Sequence, residues 1–299
     1  MIFVPWTLCT LNAVLWQVLD STIGLDYPTD TTFEWQSLHS AVFSTTLAFL
    51  LVFRLNRVAL RWWETRRMWG VIVEQIRILV ASAMEYMQHS PELRDQLVAW
   101  TLGFAVASKQ LLRKDVTINL HELAGILSPD QVERMSSAKH PPLYAAGMAR
   151  HVICRALRVN HEISSGEATS HSLNRQMLEN NVTTLIQNIG GMERVSSTPL
   201  PLVYVAHLRT FLMIYLLSIP YLYGSSWHYW TIPNVFVLSF ALLGIDGAAA
   251  DCEIPFMKNR ANHLDMEAYC LGAMNNVIQI MIQAKELQQQ SVLQPQECS

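Results

Sequence analysis

The stretch FRLNRVALRWWETRRMWG, residues 53–70, decides the fold because it joins a long apolar segment to a basic collar. The preceding residues, 38–53, are largely apolar. The stretch itself is rich in arginine and tryptophan, the residue types that concentrate where a transmembrane helix meets the lipid headgroups. The junction therefore predicts a membrane-crossing helix that ends at the membrane surface.

The composition of the 299-residue chain agrees with a membrane protein. Apolar residues make up 51% of the sequence, charged residues only 15%, and the mean hydropathy is positive at +0.19. Soluble proteins usually carry more charge. The net charge of -3 and the absence of a basic arm argue against nucleic-acid binding. The five cysteines fit neither a disulfide framework nor a zinc ribbon, because they are far apart and odd in number.

Four segments are apolar over about 20 residues, the length of helix that a bilayer requires. They lie at about 1–19, 38–58, 200–223 and 232–250. The first lacks a basic start and a small-residue cleavage pattern, so we expect it to be a retained span and not a signal peptide.

The basic residues orient these spans. The connectors 20–37 and 224–231 contain no Lys or Arg, whereas 15 of the 21 Lys and Arg fall between residues 59 and 199. Because basic residues accumulate on the cytosolic side, the region 59–199 and both termini are expected to be cytosolic.

The region 59–199 is expected to form several long helices. Apolar residues such as Ile76, Leu79, Val80 and Ala83 recur at helical spacing, which predicts that the second span continues into the cytosol. Turn signals at 90–91, 128–130, 140–142 and 190–191 divide the region. The sequence shows no linker or repeat, so we predict one domain over 1–299, with a disordered tail at about 288–299.

Enzyme chemistry has little support in the sequence. It contains no phosphate-binding loop, nucleophile elbow, dinucleotide turn or paired-histidine metal helix. We therefore predict that the protein is not an enzyme and assign no catalytic residue.

The arginines at the end of the second span allow two interpretations. Arg54, Arg57 and Arg61 are spaced like the stripe of a voltage-sensing helix. Their position at the cytosolic end instead favours side chains that extend to the headgroups. Trp62, Trp63 and Trp69 similarly fit an aromatic belt at the interface.

Three motifs, in order along the chain, resemble the bestrophin family, including its bacterial members and the related voltage-dependent chloride channels of plant thylakoids. The first is FRxN followed by RWWExR and WG, within residues 53–70. The second is TPLPLVY at 198–204, and the third, less specific, is DCEIPF at 251–256. The resemblance implies an all-α integral membrane protein, with four transmembrane helices and long cytosolic helices. It further implies a homopentamer around a central pore that passively conducts chloride and other small anions, such as nitrate or bicarbonate.

The resemblance also implies a narrow apolar neck contributed by the second span, at Thr45, Phe49 and Phe53. These residues lie at i, i+4 and i+8 and so share one stripe of a helix. Ordinary helix packing is the alternative interpretation of this stripe. Edge-on phenylalanine rings would tolerate a passing anion, because the edge of an aromatic ring carries positive charge density.

Further positions follow from the resemblance or from their place in the spans. The family's second constriction corresponds to Leu200, for which packing against its neighbours is the alternative. His207 and Arg209 in the third span are candidates to attract anions into the vestibule. Asn56, at the inner end of the neck, could donate its amide to an anion.

Animal bestrophins grip calcium with a dense acidic run after the fourth span, and here the sequence departs from the family. We expect no cofactor and no tight Ca²⁺ site, because Asp251 and Glu253 offer few carboxylates. Asp246, near the end of the fourth apolar segment, is expected to pair with an arginine such as Arg209 or one from the collar.

Two rival functions stay open at this stage. A secondary transporter would need intramembrane carboxylates and two similar halves, and a non-conducting membrane scaffold would need neither. Relatives of this kind are compatible with a thylakoid or a plasma membrane.

Overall fold

A computed structural model describes residues 3–24, 29–114, 120–157, 165–257 and 263–293. Every regular element in these ranges is helical, as the sequence predicts. The α-helices, in chain order, are α1 (Phe3–Ile23), α2 (Thr29–Leu38), α3 (Ser44–Tyr86), α4 (Pro91–Arg113), α5 (Pro129–Ser137), α6 (Pro141–Ala156), α7 (Ser165–Ser197), α8 (Leu202–Trp227), α9 (Thr231–Cys252) and α10 (Met266–Leu293). A π-helical segment, His39–Phe43, joins α2 to α3, and short 3₁₀ turns occupy Leu120–Leu123 and His228–Trp230.

The chain divides into two compact units, with one boundary inside α3. Unit 1 comprises Met1–Trp63, Thr198–Pro255 and Arg260–His263, and unit 2 comprises Glu64–Ser197, Phe256–Asn259 and Leu264–Ser299. The single domain predicted over 1–299 stays a prediction.

Unit 1 is built from α1, the first part of α3, α8 and α9. Its core contains Cys9 and Ala13 from α1, Leu47 and Leu51 from α3, and residues of α8 and α9. Polar side chains also join the helices: the Asn12 amide donates to the Leu217 carbonyl oxygen at 3.1 Å, and the Trp6 indole donates to the Phe236 carbonyl oxygen at 3.1 Å. Small residues at contacts and side chain-to-backbone bonds are typical of helices that pack in lipid.

Large apolar side chains cover much of the outside of unit 1. Phe3 is 73% exposed, Leu11 62%, Val237 62% and Phe240 59%. Exposed apolar faces of this extent mark surfaces that water does not cover in the functional state.

Two helical stretches of the described chain are long and apolar enough to cross a membrane, Glu34–Tyr86 and Leu202–Cys252. The second stretch contains both α8 and α9, which the 3₁₀ turn separates. Four spans therefore stay a prediction, although α1, α3, α8 and α9 each overlap one of the four predicted segments.

Unit 2 is organised around α4, whose residues are mostly buried. This helix packs chiefly against α6 and also against α10. The long helix α3 confirms the prediction that the second span continues past the collar, and Ile76, Leu79, Val80 and Ala83 all lie in the core. Three of the predicted turns precede helices: α4 begins at Pro91, α5 at Pro129 and α6 at Pro141.

Ser128 forms a capping box with Gln131 at the start of α5. The Gln131 backbone N–H donates to the Ser128 hydroxyl at 3.3 Å, and the Ser128 backbone N–H donates to the Gln131 side-chain oxygen at 3.0 Å. Two donors that a helix start leaves unpaired are thereby satisfied. Ser90 stands at the corresponding position of α4, but its side chain makes no capping hydrogen bond.

The turn predicted at Gly190-Gly191 is wrong, because both glycines lie inside α7. A Cβ added at Gly191 would lie 2.5 Å from the Met68 sulfur, whereas nothing lies within 4 Å of a Cβ added at Gly190. Gly191 thus serves close packing against α3, and not a change of chain direction.

We expect Gly191→Ala to be less stable than Gly190→Ala by roughly 1 kcal/mol, because its methyl group must displace the Met68 side chain while both alanines gain the same helix propensity. Gly190→Ala is the matched control on the same helix, and helix propensity predicts a gain of up to about 1 kcal/mol. Thermal unfolding of the two purified variants in detergent measures the difference. Equal midpoints for the two variants would contradict this account of the packing.

One further expectation for unit 2 needs correction. Trp69 is not at an interface, because it is 1% exposed and lies 6.2 Å from the Tyr269 ring, centroid to centroid. Helix α10 extends to Leu293, residues 294–299 lie outside the described residues, and the disordered tail at about 288–299 stays a prediction. In unit 1, Trp63 is 65% exposed and still fits the aromatic belt.

The Cys270 thiol lies between α10 and α4, with its sulfur 3.7 Å from the Ala105 carbonyl oxygen. Burial raises the pKa of this thiol to about 12. The unfolded thiol ionises near pH 8.5, so above about that pH the folded chain retains a proton that the unfolded chain loses. This contribution to stability is therefore complete below about pH 8.5 and is lost as the pH rises toward 12.

We accordingly expect the thermal midpoint of the wild-type protein to fall more steeply above about pH 9 than that of Cys270→Ala. Unfolding curves collected across the alkaline range give the two slopes. Identical slopes would mean that the thiol does not couple to folding.

Candidate functional site

The predicted neck residues lie on an exposed stripe of α3. Thr45 is exposed, and Phe49 and Phe53 are 69% and 43% exposed. The opposite side of the same helix is buried in the core, through Leu47, Leu51, Arg54 and Val58. The Phe49 and Phe53 rings stack with centroids 6.3 Å apart and planes at 18°. Among the described residues, the stripe is thus largely exposed on the single chain, and its place in a neck stays a prediction.

Two polar residues follow Phe53 on the exposed side of α3. Asn56 is exposed, as a residue that could donate its amide to an ion must be. The Arg57 guanidinium lies over the Phe53 ring, with its carbon 5.2 Å from the ring centroid. This cation–π contact orients both side chains.

Arg54 differs from Arg57, because its side chain is buried inside unit 1. Its Nη1 contacts Asp246 Oδ1, and Asp246 Oδ2 accepts a hydrogen bond from Arg209 Nε at 3.0 Å. The predicted pairing of Asp246 with Arg209 is confirmed. The expectation that Arg54 extends to the headgroups is wrong, since a buried carboxylate on α9 provides it with a counter-charge.

The third predicted span places His207 and Arg209 differently. Arg209 is engaged with Asp246 while 43% of its side chain stays exposed. His207 is exposed, and its ring stacks on Phe211 with centroids 6.5 Å apart. Both side chains are accessible, but the charge of Arg209 is partly compensated.

Leu200 lies just before α8 and is half-buried. Its backbone N–H donates to Glu253 Oε1 at 2.8 Å, which ties the start of α8 to the end of α9. Nearby, Arg61 Nη2 donates to the Thr198 carbonyl oxygen at 2.8 Å. The TPLPLVY motif is thus held in place by two charged residues that lie in the other two motifs.

The calcium candidates are half-buried, and one of them has a structural role. Glu253 accepts a hydrogen bond from the Leu200 backbone N–H, and Asp251 lies at the end of α9. Across the described ranges, no three His, Cys, Asp or Glu side chains come together as a metal site would require. The described residues of this single chain therefore do not bring together the carboxylate oxygens that Ca²⁺ prefers.

The π-helical segment His39–Phe43 was missed by sequence reasoning. His39 is 6% exposed, stacks on Tyr215 with centroids 4.5 Å apart and planes at 5°, and its Nε2 lies 2.9 Å from the Ser218 hydroxyl. Such single-turn bulges change the register of a helix and often lie near functional sites. The available signal was the histidine itself, a polar residue at the edge of an apolar segment.

Comparisons with known proteins agree with this architecture. The family model described as Bacterial/Fungal Bestrophin protein matches residues 1–279. A voltage-dependent anion channel-forming protein of Nostoc sp. (strain PCC 7120) is 32% identical over 249 residues, 80% of this chain and 76% of the relative. A protein of the same description from Synechocystis sp. is 30% identical over 235 residues, 77% of this chain and 73% of the relative.

A more distant relative is a chloroplastic voltage-dependent chloride channel of Arabidopsis thaliana, 23% identical over 89% of this chain and 62% of its own length. Among solved structures, a bacterial bestrophin homologue from Klebsiella pneumoniae superposes with a TM-score of 0.78 at 21% identity. That match covers 94% of this chain and 98% of the other. The structural likeness supports the fold.

Proposed function

Because this chain belongs to the bacterial and fungal bestrophin family, we propose that it is an integral membrane protein that forms a passive anion channel. The permeant ions are chloride and other small anions, such as nitrate and bicarbonate. The channel is a homopentamer with one central pore, and each subunit contributes four transmembrane helices.

The observation that carries this proposal is the exposed aromatic stripe of α3. Thr45, Phe49 and Phe53 point away from the core of their own subunit, on a helix apolar enough to cross a membrane. A stripe on one subunit encloses no passage, so rotationally related copies are needed to close a pore around it. Arg57, four residues beyond Phe53, then lies at the inner end of that pore.

Selectivity follows from the chemistry of the rings. An aromatic ring is electropositive at its edge, so phenylalanine edges turned toward an axis favour an anion over a cation. An apolar constriction also empties of water easily, which allows it to act as a gate. Thr45, at the outer end of the stripe, makes that end more polar than the two phenylalanine rings.

Leu200 is proposed to form the second constriction, on the cytosolic side. A ring of five leucine side chains would restrict the size of the permeant ion. The hydrogen bond between the Leu200 amide and Glu253 holds the backbone of this position. His207 and Arg209 would lie in the vestibule, where the partly exposed Arg209 guanidinium attracts anions and the His207 ring offers a hydrogen-bonding group.

A planar-bilayer recording tests the proposal directly. Purified protein is reconstituted under an asymmetric potassium chloride gradient, and the reversal potential is compared with the equilibrium potentials of chloride and potassium. A reversal potential near that of chloride is expected. A reversal potential near that of potassium contradicts anion selectivity. If well-folded protein passes no current, the result favours a non-conducting membrane scaffold.

The assembly is tested separately. Native mass spectrometry of the detergent-solubilised protein is expected to give five times the 34.0 kDa mass of one chain. A single subunit in both detergent and lipid nanodiscs would contradict a central pore.

A further inference from the structure

The three arginines at the end of the apolar part of α3 have different surroundings. Arg54 is buried against Asp246, and Arg61 donates to the Thr198 carbonyl oxygen. Arg57 is exposed, and no carboxylate of the described residues lies within ion-pair distance of it. Its full positive charge is therefore available to a ligand.

The position of that charge follows from its contact with the neck. Arg57 is one helical step of four beyond Phe53, as Phe53 is beyond Phe49 and Phe49 beyond Thr45. The guanidinium lies over the face of the Phe53 ring, 5.2 Å from its centroid, and so stays beside the neck instead of extending away from it. Phe53 is in turn stacked on Phe49, which limits its freedom to rotate.

The pairing suits an anion electrostatically. The face of an aromatic ring is electronegative and its edge electropositive. A cation on the face neutralises the part of Phe53 that would repel an anion and leaves the electropositive edge available. The guanidinium also retains several N–H donors in a planar fork, which matches small oxyanions and halides.

We propose that Arg57 forms an anion-binding site at the inner end of the neck, with five copies making a ring of guanidinium groups around the pore. The ligand is a small monovalent inorganic anion, of the class of chloride, bromide or nitrate. This site rests on the proposed channel function, because the ring exists only if the stripe of α3 faces a common axis.

Asn56 complements this site. It is exposed on the adjoining position of the helix and can donate its side-chain amide to the same anion. Arg54 cannot serve this way, since its guanidinium is enclosed and paired with Asp246.

The main test is single-channel conductance at low and at high potassium chloride concentration. For Arg57→Gln we expect the anion conductance at low salt to fall about threefold and to approach the wild-type value at high salt, because a fixed charge acts mainly when it is unscreened. Arg57→Lys keeps the charge and should retain most of the low-salt conductance. Arg67→Gln is the matched control, since it neutralises another exposed arginine of α3, in unit 2.

A second measurement detects the bound ion without relying on conduction. Crystals grown in bromide are expected to show an anomalous peak beside Arg57 in the wild-type protein and no peak in Arg57→Gln. Size-exclusion profiles matching the wild type establish that the variants are folded pentamers.

The outcomes distinguish a failure of the proposed channel function from a failure of the Arg57 anion site. If the wild-type protein passes no anion current, the proposed function fails. If it conducts anions, but Arg57→Gln equals Arg67→Gln at low salt and bromide is absent, only the anion site fails. If Arg57→Gln keeps the wild-type conductance but retains less lipid than the wild type in native mass spectra, Arg57 binds a lipid phosphate. That result would overturn the anion site in the pore.

Discussion

Replacing Asp246 with alanine is expected to destabilise the protein by about 3–5 kcal/mol, the range seen when one partner of a buried ion pair is removed. Asp246 holds two guanidinium groups, Arg54 through one carboxylate oxygen and Arg209 through the other. The Arg54 side chain is 1% exposed, so water cannot replace the lost carboxylate. In the Asp246→Ala variant, the Arg54 guanidinium would stay buried between α3, α8 and α9 without a counter-charge.

Thermal unfolding in detergent, followed by size-exclusion chromatography, measures this effect. Arg175→Gln is the matched control, because it removes one partner of an exposed pair whose side chains are 45% and 35% accessible. Exposed pairs at i, i+4 contribute only about 0.3–0.5 kcal/mol. Similar losses in the two variants would mean that Asp246 does not neutralise a buried charge.

A compensating variant separates the buried charge from general damage to the core. Arg54→Met together with Asp246→Leu removes both buried charges, while Arg209 can turn its partly exposed side chain to water. We expect this double variant to recover much of the lost stability. Failure to recover any of it would point to packing, and not charge, as the reason for the loss.

Replacing Phe53 with alanine is expected to raise the permeability of large anions relative to chloride by roughly tenfold, which corresponds to about 1.4 kcal/mol in the barrier. Five copies of the ring would be lost from the narrowest part of the pore at once. The same change removes the surface on which Arg57 rests and the ring stacked on Phe49. On the proposed channel function, both losses would widen the neck and loosen its inner end.

Reversal potentials under bi-ionic conditions, with anions of increasing size against chloride, give the permeability series. Leu55→Ala is the matched control, because Leu55 is also an apolar residue of α3, 37% exposed, and lies on a different side of the helix. An unchanged series in Phe53→Ala would remove Phe53 from the neck. An equal change in Leu55→Ala would make the effect one of helix stability.

Much of the fold could be predicted from local patterns. The long helix α3 follows from an apolar segment and a continuing helical period, and the starts of α4, α5 and α6 follow from proline after a capping position. The same kind of reasoning failed at Gly190 and Gly191. Glycine often ends a helix, but here Gly191 accommodates the Met68 sulfur from α3, a contact between residues far apart in the chain.

The shared helical stripe of the candidate neck and the pairing of Asp246 with Arg209 could be predicted from the sequence, but the burial of Arg54 could not. The spacing of Thr45, Phe49 and Phe53 places them on one stripe, and the structure leaves that stripe exposed. Arg54 and Arg57 looked equivalent, because both follow the apolar segment and both are arginines. The two residues are three positions apart on the helix, so the Arg54 side chain is buried in the core and the Arg57 side chain stays exposed.

The sequence by itself determined that the chain is helical, that it enters a membrane and where its aromatic stripe lies, because these depend on hydropathy and on the helical period within short segments. The pairing of Asp246 with Arg209 was also predicted, but only the tertiary structure decided that Arg54 is buried against the same carboxylate. That outcome depends on α8 and α9 bringing Arg209 and Asp246 to Arg54, and such a contact has no signature in the neighbouring residues of the chain. The same packing leaves Arg57 beside Phe53 with its charge uncompensated among the described residues.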